Sequence, residues 1–99
     1  MLVDADVAPE LVRTLARQEK RIAVLSFSAL RPVLPRLTWI AASPEAAGYA
    51  HTLYANLRKL DATNSDVIVI ERPPQHPDWI AVLDRLTRAA TGSAAFEEP

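Results

Sequence analysis

Residues 43–71 read SPEAAGYAHTLYANLRKLDATNSDVIVIE: a helix, a tight turn and a buried strand in succession. Ser43-Pro44-Glu45 has the makings of a helix start. A hydroxyl caps free N–H groups, a proline fits the first turn, and an acid faces the positive end of the dipole. Ala46, Ala50, Leu53, Tyr54, Leu57 and Leu60 recur at steps of three and four and predict one apolar stripe. Thr52, Asn56 and Lys59 fall on the other side. Asp61 to Ser65 supplies turn-forming residues. Val67-Ile68-Val69-Ile70 is β-branched with no polar alternation, as in a strand covered on both faces. Helix followed by doubly covered strand is half of a βαβ unit, so the class is α/β.

Working outward, Ile22 to Phe27 is another apolar run, interrupted only by Ser26, and predicts a second buried strand. Leu37 to Ala41 predicts a third, and Met1 to Val3 a short first one. Between them Pro9-Glu10 opens a helix that turns Leu11, Val12, Leu15 and Ala16 inward, with Asp4 or Asp6 as the preceding turn and cap. Downstream, the proline-rich loop at 72–77 leads into a last helix with Trp79, Val82, Leu83, Leu86 and Ala90 buried. Asp84 and Arg88 form an i,i+4 pair on its wet side. Helices alternating with buried strands predict a three-layer α/β sandwich over 1–92, with a mainly parallel sheet of about four strands and three helices. Residues 93–99 read as a disordered tail. The connection at 28–36 is too short for a crossover helix, which predicts that one strand there is antiparallel or non-adjacent.

Composition narrows the function classes. The chain has 99 residues, no cysteine and a net charge of -1. Disulfides and thiolate metal sites are therefore out of reach. The charges are spread evenly, without the basic stripe of a nucleic-acid binder. No apolar run approaches the roughly 20 residues that cross a bilayer. Met1-Leu2-Val3-Asp4 has neither the basic start nor the apolar stretch of a signal peptide, so a cytoplasmic location is expected. Only two glycines are present, Gly48 within the helix and Gly92 beyond the last one, and neither builds a phosphate-cradling loop.

The residues that could carry chemistry are few. His51 and His76 belong to no metal-binding pattern and read as surface histidines. No Gly-x-Ser-x-Gly elbow surrounds Ser26, which reads as a strand-end serine bonded to backbone. Glu71-Arg72 at a strand's carboxyl end reads as an ion pair or loop anchor, since a lone carboxylate lacks an acid–base partner. Parallel strands and helix N-termini converge on the carboxyl edge of such a sheet. That edge gathers Ser26, Ser28, Ser43, Glu71 and Arg72, with Arg31 and the 72–77 loop as its rim. It is the expected place for a partner or a ligand to touch. No metal and no cofactor is expected.

Four segments resemble a known family. They are Arg21 to Phe27, the helix Ala50 to Asp61 of the form A-x-x-L-Y-x-x-L-R-x-L-D, Asp66 to Glu71, and Leu83 to Ala90. Together they are similar to the C-terminal domain of the long-form threonylcarbamoyl-AMP synthases, the Sua/YciO/YrdC family, from about Leu2 to Ala90. The resemblance implies a small Rossmann-like appendage without agreed chemistry. In that family a YrdC-like domain makes threonylcarbamoyl-AMP from threonine, bicarbonate and ATP for tRNA modification. The 99 residues lack that catalytic domain and its linker. Where many members have a glycine-rich approach to the last helix, this chain has Pro77-Asp78-Trp79-Ile80. Met1 leans toward a complete reading frame, with a fragment of a larger synthase as the alternative. The expected function is a non-enzymatic accessory domain that contacts a YrdC-like catalytic domain or another copy of itself. The alternative is a small-ligand or nucleotide-sensing domain, and neither reading involves nucleic acid or membrane directly.

Overall fold

A computed structural model describes residues 1–27 and 31–91. The elements are β1 (Leu2–Val3), α1 (Ala8–Arg17), β2 (Ile22–Ser26), β3 (Leu37–Ala41), α2 (Ala46–Ala62), β4 (Val67–Glu71) and α3 (Ile80–Thr91), the last preceded by a 3-10 turn at Pro77–Trp79. The strands form one sheet in the order β1-β4-β2-β3, and every pairing is parallel.

This order dictates where the helices lie. The β1–α1–β2 crossover and the β3–α2–β4 crossover travel across the sheet in opposite senses. Parallel crossovers share one hand, so helices travelling oppositely must cover opposite faces. They do. Val12 of α1 packs on Ile22, Val24 and Val69, with Leu11, Leu15 and Ala16 partly buried beside it. Tyr49, Leu53 and Leu60 of α2 join Trp79, Val82 and Leu86 on Ala23, Leu25 and Ile70. The two runs that read as doubly covered, β2 and β4, are the two inner strands.

Three expectations need correction. The β2–β3 pair is parallel and adjacent, despite the absence of a crossover helix. A strand of five residues is about 17 Å long, whereas the ten residues from 27 to 36 can reach about 33 Å, so an extended return suffices. Pro32 and Pro35 favour that extension, and Leu34 packs with Leu37 and Trp39 on the α1 face in place of a helix. Next, α2 begins at Ala46 rather than Ser43. Ser43 Oγ accepts the Glu45 N–H at 3.1 Å and closes a turn ahead of the helix. Last, the buried stripe of α2 is Tyr49, Leu53, Asn56 and Leu60, while Tyr54 is 65% exposed. Asn56 tolerates burial because its Nδ2 donates to Thr52 Oγ1, which in turn donates to the Gly48 carbonyl.

The ends of α1 also differ from simple capping. Asp4 contributes its carbonyl, which accepts from Val7 and Ala8, and no side chain caps the helix. At the other end Lys20 N–H donates to Leu15 and Glu19 N–H to Ala16, with Glu19 in the left-handed region at φ 59°. That is the Schellman arrangement built without glycine. The Asp84–Arg88 pair forms as expected, at 3.0 Å. The tail at 93–99 lies outside the described residues.

Candidate functional site

The carboxyl edge is assembled by strand register. Leu25 pairs with Ile70, so Ser26 and Glu71 are the next residues of neighbouring strands and lie on the same face. Ser26 Oγ donates to Glu71 Oε1 at 2.9 Å, and the Phe27 N–H donates to the same oxygen at 2.9 Å. Glu71 is 1% exposed and Ser26 2%. A buried carboxylate is tolerable only when donors surround it. Here those donors belong to the strand next door, so Glu71 is the anchor that holds the start of the β2–β3 connection against β4. Ser26 accordingly bonds a side chain, where backbone was expected.

The other edge residues go separate ways. Arg72 Nε donates to Asp4 Oδ1 at 2.9 Å and its N–H donates to the Val3 carbonyl, tying the exit of β4 to the exit of β1. Ser43 is taken up by the turn into α2. A Cβ on Gly48 would lie 2.5 Å from Ser43 Oγ and 2.8 Å from its Cβ, so glycine is what allows this close approach. Arg31 is exposed to solvent. Ser28 lies outside the described residues. Of the six, then, only Ser26 and Glu71 meet directly among the described residues.

A cavity of about 40 Å³ adjoins the Ser26–Glu71 pair, lined by Ala8, Pro9, Val12, Arg13, Val24, Pro32 and Trp39. Space of that size suits a few water molecules and not a nucleotide. On the opposite face, Phe27, Tyr49 and Trp79 form an aromatic trio. Tyr49 meets Trp79 edge-on at 5.3 Å between centroids, and Phe27 lies 5.4 Å from Trp79 and 6.3 Å from Tyr49. The Tyr49 hydroxyl is buried without a hydrogen-bond partner among the described residues. Burial, and after it the Glu71 carboxylate, push the phenol far above its ordinary pKa and keep it neutral. His76 Nδ1 accepts the Asp78 N–H at 3.2 Å and so caps the 3-10 turn. No cluster of metal-ligating side chains occurs among the described residues. No helix among them is long and apolar enough to cross a membrane.

Sequence reasoning missed the contacts that Asp4, Phe27 and Tyr49 make at the site. Tyr49 had a signal, since it precedes Leu53 by four residues and Leu60 by eleven, a stripe one notch away from the one read. Asp4 and Phe27 had none, because their partners are fixed by strand order.

An all-parallel α/β sandwich, whose carboxyl edge is knitted together by its own Ser26, Glu71, Arg72 and Asp4, is a small Rossmann-like domain. Residues 1–91 match the family model for the C-terminal domain of threonylcarbamoyl-AMP synthase, and the chain belongs to that family. The resemblance carried by the segments at 21–27, 50–61, 66–71 and 83–90 is therefore real. No curated protein and no solved structure matches the chain.

Proposed function

We propose that this domain is a non-catalytic accessory module that docks a YrdC-like catalytic domain through its carboxyl edge, in the context of threonylcarbamoyl-AMP synthesis for tRNA modification. The observation that carries the reading is the use made of Glu71. A carboxylate serving as a reagent needs access to substrate, whereas this one is buried and bonded to Ser26 and Phe27. Membership of the threonylcarbamoyl-AMP synthase C-terminal domain family is in keeping with a partner from the same synthesis. Stiff, proline-bearing segments at 31–36 and 72–77 flank the edge and lose little entropy on contact. Arg31, at the start of the 31–36 segment, is exposed and is the charge to test. The nucleotide-sensing reading has the cavity near Glu71 in its favour, but its size argues against it.

The test is calorimetry of the chain with a YrdC-like catalytic domain. Binding is expected, with Arg31→Glu weakening it several-fold while the melting temperature stays the same. Absence of heat at ~100 µM of each partner would overturn the proposal. The chain alone should release no pyrophosphate from ATP with threonine and bicarbonate. ATP, AMP or threonine should leave its melting temperature unmoved, whereas a ligand at about 100 times its dissociation constant would add about 2.7 kcal/mol.

A further inference from the structure

The outer edge of β3 is the surface left unexplained. Ile22 N–H donates to the Arg36 carbonyl and Ala42 N–H donates to the Ser26 carbonyl. With the period of two along a strand, Arg36, Thr38, Ile40 and Ala42 therefore bond inward to β2, and Leu37, Trp39 and Ala41 direct N–H and C=O outward. β3 is an end strand of the sheet, five residues long and without a charged or proline residue. The opposite end strand, β1, has only two residues. Natural sheets blunt their edges by shortness, charge or proline. β1 follows that rule and β3 does not.

We propose that β3 pairs with β3 of a second copy of this chain, antiparallel about a two-fold axis through Trp39, to give one continuous eight-stranded sheet. The register is self-consistent. Centring on Trp39 sets Leu37 against Ala41 of the second copy and Trp39 against its equivalent, so every outward-pointing residue meets an outward-pointing residue. Charge selects the same orientation. Exposed Arg36 directly precedes β3 and exposed Glu45 lies four residues past its end, so antiparallel pairing brings the cationic end of each strand to the end of the other that leads to the anion, whereas parallel addition would align like charges. The half-buried Trp39 lies at the centre, where an interface places its aromatic residues. One strand pair is a small interface, so the dimer is in concentration-dependent exchange with monomer.

Sedimentation equilibrium of the 99-residue chain tests this. A reversible monomer–dimer equilibrium is expected, and a chain that stays monomeric up to ~1 mM overturns the proposal. Ala41→Pro removes an outward N–H only, so it should lower dimer affinity at least tenfold. Its melting temperature, measured under conditions where the chain is monomeric, separates loss of pairing from loss of fold. Dimerisation undiminished in this variant would overturn the proposal. The register is tested in a chain that has no native cysteine. Thr38→Cys with Ile40→Cys should crosslink two copies on mild oxidation, since these positions face each other across the axis. A dimer that forms without crosslinking means that another surface pairs, and the proposal fails.

Discussion

The two faces of the sheet are covered by different means. On one, α2, α3 and the 3-10 turn before α3 lay six buried apolar side chains over Ala23, Leu25 and Ile70, and the aromatic trio closes the carboxyl end. On the other, a single helix contributes two buried residues, Ala8 and Val12, and much of the rest of the cover is half-buried side chains and the loop residue Leu34. The cavity and the buried Glu71 belong to this thinner side. Helical cover is apolar and continuous, whereas loop cover has to be held down by polar bonds. Stability on one face is therefore packing, and on the other it is anchoring.

The largest expected effect is on the packed face. Leu53 is fully buried, and Leu53→Ala should cost about 4 kcal/mol in urea unfolding. Leu57, half-buried on the same helix, should cost less than half of that. Equal costs for the two would erase the stripe as assigned. On the anchored face Glu71→Ala should cost about 3 kcal/mol, because it removes the buried acceptor shared by the Phe27 N–H and the Ser26 hydroxyl. Ser26→Ala should cost only about 1 kcal/mol, since Phe27 still satisfies the carboxylate. If the two were equal, the serine and not the acid would be the anchor.

How far these contrasts could be read in advance depends on the range of the interactions. The strands, the helices and the burial of β2 and β4 are legible because unbroken β-branched runs and three-to-four spacing are local properties. The adjacency of β2 and β3 is not. Connection length suggests it is forbidden, and only the reach of an extended, proline-bearing segment allows it. At the site, Ser26, Glu71 and Arg72 are legible as strand-end polar residues. Their partners are not, since Ser26 meets Glu71 across 45 positions and Arg72 meets Asp4 across 68. Asn56 looked like a surface residue because its partner, Thr52, satisfies it from one turn away.

A smaller effect tests the close contact at the start of α2. Alanine is the better helix former by about 1 kcal/mol, yet Gly48→Ala should destabilise by about 1–2 kcal/mol, as the new Cβ runs into Ser43. The double variant with Ser43→Gly should recover most of the loss. Recovery absent from thermal melts would place the strain elsewhere. The smallest effect is at the aromatic trio. Tyr49→Phe removes a buried hydroxyl that makes no hydrogen bond among the described residues and should leave stability unchanged or raise it by up to ~1 kcal/mol. A clear loss would mean that the packed face contains a polar anchor of its own.

The strand order has a consequence for how the chain is made. β1 has no neighbour except β4, and β4 occupies the slot between β1 and β2. During synthesis β2 and β3 can pair as soon as they emerge, but the N-terminal strand and α1 have no completed sheet to rest on until Glu71 has been added. The segments of this domain that are translated earliest are thus among the last to find their place, and a chain interrupted before β4 leaves part of the apolar side of α1 uncovered. For a nascent chain this means a waiting period in which Val12 and its neighbours are available to chaperones, ended by the arrival of a single strand.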